Sequence, residues 1–101
     1  MPRPTRIRVL GKQWHIEYVD DLKNSDGDEV YGTCDEGSLT IKIKTWMPVD
    51  LQTHTLLHEC MHAIEYGMGL KLKEREVDLI SGGFMALIKD NPLFADFLVG
   101  L

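Results

Sequence analysis

The segment His58-Glu59-Cys60-Met61-His62 sets two imidazoles four residues apart with a carboxylate between them. On a helix, that spacing places both rings on one face with Cβ atoms about 6 Å apart, so two ring nitrogens can meet one zinc ion at about 2.1 Å each. Glu59 lies about 100° around the axis from His58, which sets its carboxylate beside such an ion and not on it. There it can take a proton from a water that the metal activates. The pattern predicts Zn2+ held by His58 and His62, with Glu59 as the catalytic base. The surrounding residues agree with a helix. Leu57, Cys60 or Met61, Ile64 and Met68 recur at three- and four-residue spacing, and the two histidines border that apolar stripe.

A zinc ion that acts on a substrate takes a third protein ligand and keeps its fourth position open. Glu74, Glu76 and Asp78 open the next helical segment, and a chain reversal over residues 67–72 returns them beside the end of the first helix, close to His62. Glu74 and Asp78 share a face. Glu74 is therefore the expected ligand, and Asp78 the group that accepts a hydrogen bond from a ligand histidine and orients it. Glu76 is the alternative third ligand, and at least one of the three acids serves only the positive end of the helix dipole. His54 and His62 are eight residues apart, about 12 Å along a helix, too far to share one metal with His58. His54 is read as an exposed or capping residue. Contact with substrate or with a developing oxyanion is its alternative role, as for Tyr31, His15 and Tyr66.

Around these residues the chain divides into alternating and helical stretches. Ile7-Arg8-Val9, the turn at Gly11-Lys12 and the alternation of Trp14, Ile16 and Tyr18 predict a β-hairpin in the first twenty residues. The acidic stretch from Asp20 to Glu29, with Asn24-Ser25-Asp26-Gly27 inside it, is a loop. It is no calcium loop, because Leu22 and Thr33 fall where an EF-hand needs its first and last acids. Leu39, Ile41 and Ile43 alternate with Thr40, Lys42 and Lys44, which predicts an edge strand able to accept an extended peptide. The first helix follows Pro48, with Asp50 as N-cap and Gly67 or Gly69 as its stop.

A second helix is predicted from about Lys73 to Lys89, with Val77, Ile80, Phe84, Leu87 and Ile88 as its apolar stripe and Asp90-Asn91-Pro92 as its end. Gly82 and Gly83 inside it each cost about 1 kcal/mol relative to alanine, which implies a close approach to another backbone. Leu93, Phe94, Phe97 and Leu98 read as a short apolar helix capping the core, with a dimer surface as the alternative.

Composition bounds the partners. The chain has 101 residues, 44% of them hydrophobic, enough for one core and hence a single domain over 1–101. Sixteen acidic against eleven basic side chains give a net charge of -5, which argues against nucleic acid as the primary partner because such binding rests on cationic groups. No apolar run approaches the roughly 20 residues of a membrane span, and the segment after Met1 is too short for a signal peptide. The expectation is a cytoplasmic protein with no membrane partner, monomeric or weakly dimeric. Cys34 and Cys60 form no CxxC pair and read as ordinary thiols in a reducing compartment.

His58-Glu59-Cys60-Met61-His62 followed by Glu74-xxx-Asp78 resembles the gluzincin branch of zinc metallopeptidases, in which HExxH precedes a glutamate helix carrying ExxxD. The wider run of Leu39 to Lys44, Thr55 to Tyr66 and Ala86 to Pro92 is similar to minimal zincin-like proteins of phages and prophages, and distantly similar to the SprT-like and ImmA/IrrE families. No histidine follows His62, so the third histidine of SprT-like proteins has no counterpart. The resemblance implies an α+β fold: a small antiparallel sheet whose edge strand lines a cleft, packed on the HExxH helix and the glutamate helix. It implies a zinc metalloendopeptidase acting on a peptide or protein substrate. The alternative is a non-catalytic adaptor or inhibitor in which zinc only staples the core and a host protein is bound.

Overall fold

In the computed structural model, which describes residues 3–100, four strands and three helices follow one another. They are β1 (Arg6–Val9), β2 (Lys12–Val19), β3 (Gly32–Asp35), β4 (Thr40–Lys44), α1 (Val49–Met68), α2 (Glu74–Asp90) and α3 (Pro92–Val99). β1 and β2 form the expected hairpin, with Val9 opposite Lys12. Leu10 and Gly11 both take positive φ at its turn, the backbone twist that joins right-twisted strands in two residues. Trp14 and Ile16 face inward while His15 and Glu17 face out.

The sheet order is β1-β2-β4-β3. β2 and β4 run parallel, with Ile16 beside Ile41 and Tyr18 beside Ile43, whereas β3 returns antiparallel to β4. This corrects two expectations: the sheet is mixed, not wholly antiparallel, and Leu39 to Lys44 is an inner strand. Alternation reports which face of a strand is covered and is silent about its lateral neighbours. Ile41 and Ile43 face α1 at 0% exposure, while Lys42 looks out from the open face. The edge beside the helices is β3, whose Gly-Thr-Cys-Asp sequence carries no apolar alternation.

The core lies between this sheet and one side of α1, where Trp14, Ile16, Ile41 and Ile43 meet Cys60 and Ala63. Pro48 precedes α1, and Asp50 sits in its first turn and pairs with Lys89 at 3.2 Å; it is not the N-cap. Gly69 closes α1 in the left-handed conformation at φ 68°, and Leu70 N–H returns to the Glu65 carbonyl. Glu74 then begins α2, close to the expected boundary. Its packed seam is Val77 and Ser81, both 0% exposed, while Ile80, Phe84 and Leu87 stay 44–47% exposed. Gly82 faces the His54 ring and Gly83 faces open space, so neither meets another backbone as expected. α3 forms over the tail but packs on α2 alone and buries none of its residues; it does not cap the core. Among the described residues no helix is long and apolar enough to cross a membrane.

Candidate metal centre

The 3.6-residue turn sets His58 and His62 one above the other on the side of α1 that faces α2, their ring centroids 5.1 Å apart. The left-handed Gly69 turn reverses the chain so that α2 opens against that same side. Its first residue, Glu74, extends between the two rings: His58 Nε2 lies 2.6 Å from Glu74 Oε1, and His62 Nε2 lies 3.0 Å from Glu74 Oε2. Two imidazole nitrogens and a carboxylate thus offer donor atoms that all fall within 4.8 Å of one another. The histidines are 12% and 16% exposed and Glu74 is 72% exposed, so the donors form a floor of protein nitrogens beneath a solvent-facing carboxylate.

The other nitrogen of each ring is held by a separate acid. His58 Nδ1 lies 3.2 Å from Asp78 Oδ1, the orienting contact expected of Asp78. His62 Nδ1 lies 3.0 Å from Glu65 Oε1, while the second Glu65 oxygen accepts the Leu72 N–H. Glu65 was not expected, although it follows His62 by one helical turn and that spacing could have pointed to it. The Leu72 N–H and the His62 ring together hold its carboxyl below the usual range. Carboxylates on both Nδ1 atoms can hold the ring protons there, which frees both Nε2 atoms, the ones that meet Glu74, for a metal. Glu76 points elsewhere. Its Oε1 accepts the Lys73 N–H at 2.8 Å at the start of α2, which removes the alternative ligand from the cluster.

Glu59 is 6% exposed on the flank of α1 that meets β3. A Cβ built on Gly32 would stand 2.7 Å from Thr55 Cγ2 and 2.9 Å from Glu59 Oε2, so only glycine lets the edge strand approach this closely. Burial pushes the Glu59 carboxyl up to about 7, against the pull of His58 and His62 and with a further push from Glu74. A carboxylate poised near neutrality can both accept and return a proton. It opens on a cleft of about 470 Å³, walled by Val30, Tyr31 and Gly32 on one side and by α1 and Glu74 on the other.

His54 is neither exposed nor a cap. Its side chain is 31% exposed, its Nε2 is buried without a hydrogen-bond partner, and that atom sits 3.8 Å from Asp78 Oδ1. Tyr31 lines the cleft at 55% exposure. Tyr66 stacks on His62 at 6.3 Å, and His15 faces away on the outer side of β2. Burial pushes the Cys34 and Cys60 thiols up to about 12 and about 11, so both are unreactive at neutral pH. Comparison of the chain with protein-family models, curated proteins and solved structures finds no match.

Proposed function

We propose that the chain is a zinc-dependent endopeptidase whose metal is held by His58, His62 and Glu74 and whose general base is Glu59. The observation that carries this reading is the meeting of both histidine Nε2 atoms with the two Glu74 oxygens beside the buried carboxyl of Glu59. Two imidazoles and one carboxylate suit zinc among the common ions and leave a position open. Zinc bound there supplies a Lewis acid that polarises a peptide carbonyl and eases ionisation of a water. Asp78 and Glu65 fix the ligand rings. Glu59 takes the proton of the attacking water at its carboxylate and returns it to the leaving amine. The substrate is a peptide in extended form, lying in the cleft walled by Val30, Tyr31 and Gly32, beside the side of β3 that faces away from β4.

The competing reading is a zinc-stapled adaptor, which has no use for a base. Glu59→Gln keeps the size and both imidazoles and therefore separates the two. A mixed peptide library is screened with wild type, and the cleaved sequences are then assayed with the variant. The expected result is unchanged zinc content and at least about a 100-fold fall in hydrolysis. A wild type that carries zinc and cuts nothing, or equal cleavage by both proteins, overturns the assignment of Glu59.

A further inference from the structure

The unpartnered Nε2 of His54 stands at the end of a ladder of side chains. His54, His58 and His62 recur every four residues on α1, and Glu74 and Asp78 are spaced likewise on α2, so the two helices set acids between imidazoles one turn apart. Glu74 reaches the Nε2 atoms of His58 and His62, and one turn further along Asp78 Oδ1 lies 3.2 Å from His58 Nδ1 and 3.8 Å from His54 Nε2. The edge of the His54 ring that carries this nitrogen rests against Gly82, the next turn of α2, where an added Cβ would meet Cε1 and Nε2 at 3.6 Å. The nitrogen is closed off from solvent, which sets aside contact with a substrate carbonyl. Buried polar atoms nearly always have a hydrogen-bond partner, and Asp78 is the acceptor in reach.

We propose that His54 is a positioning residue: its Nε2–H donates to the Asp78 carboxylate and holds it on His58 Nδ1. The inference rests on the zinc reading above and deepens it, because the His58 ring keeps Nε2 aimed at a metal only while its other nitrogen is held. The two ligand histidines differ in how their acids are fixed. Glu65, behind His62, is 9% exposed and anchored by the Leu72 N–H. Asp78, behind His58, is 59% exposed, and the hydrogen bond it makes among the described residues is the one to His58. The acid lacks a second donor and the His54 nitrogen lacks an acceptor. Closing their 3.8 Å separation to about 2.9 Å takes a shift of under about 1 Å, which a half-exposed carboxylate is free to make.

The test uses the full chain as wild type, His54→Phe, His54→Gln, Asp78→Ala and the double variant of His54→Phe with Asp78→Ala. Zinc affinity is measured by competition with a chelator, and the metal-free proteins are unfolded in urea. His54→Phe keeps a ring against Gly82 and removes the donor, and it is expected to weaken zinc binding about tenfold. His54→Gln carries a side-chain N–H of similar reach and is expected to recover most of that loss. In the Asp78→Ala background, His54→Phe is expected to add less than about twofold, because both residues act through one contact. Additive losses, wild-type affinity in His54→Phe, or a His54→Gln protein as weak as His54→Phe overturns the inference. So do additive changes in urea stability across the metal-free set, which reads the contact between His54 and Asp78 without a metal. Non-additive stability in a chain that binds no zinc keeps the contact and faults the metal reading, so the two failures are told apart.

Discussion

Glu59 combines burial with proximity to two histidines, and its protonation carries a stability signature. The folded carboxyl is raised from 4.5 to about 7, so between those values the native chain holds a proton that the unfolded chain has released. The stabilisation this proton brings is complete below about pH 4.5 and is lost as pH rises through about 7. Metal-free wild type is therefore expected to lose on the order of 3 kcal/mol relative to Glu59→Gln between pH 4.5 and pH 8. Urea unfolding of both proteins across that range checks it, and a constant difference contradicts it. The residues behind the ligands make a second contrast. Glu65→Gln and Asp78→Asn are each expected to weaken zinc affinity about 10- to 100-fold. Glu76→Ala, which removes the acceptor of the Lys73 N–H, is expected to cost about 1 kcal/mol of stability and leave the affinity unchanged. Zinc titration against a competing chelator distinguishes these outcomes.

The helices were legible because one spacing rule governs both packing and the convergence of donor atoms: His58, His62 and the turn that returns Glu74 follow from a 3.6-residue period and a glycine stop. The sheet was legible only in part. Trp14 and Ile16 announce a strand with one covered face, as do Ile41 and Ile43, but nothing in that alternation distinguishes an inner strand from an edge. β3 left no signal, since Gly32 is chosen for closeness to Glu59 and Thr55, and Thr33, Cys34 and Asp35 do not alternate. Glu65 was obscured by a similar ambiguity, because an acid one turn after a histidine is as common on a solvated face. The periodicity of the tail reported an amphipathic helix and not the surface it meets. Gly32 yields an expectation at this scale. Gly32→Val must displace either β3 or the Glu59 side chain, so peptide hydrolysis is expected to fall at least about tenfold while zinc content is retained. Unchanged hydrolysis by Gly32→Val contradicts the placement of β3 over the base.

For the whole molecule, a metal clasped between α1 and α2 would join α1 to a helix whose buried residues are Val77 and Ser81. Zinc binding to the native state then adds to folding stability. Chelation is expected to lower the thermal midpoint by several degrees, at about 4 to 8 °C per kcal/mol for a chain of this size. An identical shift in His62→Ala contradicts that coupling. The most direct measurement is the zinc content of purified protein, by elemental analysis, for wild type, His62→Ala, Glu74→Ala and Glu76→Ala. About one zinc per chain is expected in wild type and in Glu76→Ala, with loss of most of it in the other two. Zinc retained in full by His62→Ala, or lost from Glu76→Ala and kept by Glu74→Ala, contradicts a centre built from His58, His62 and Glu74.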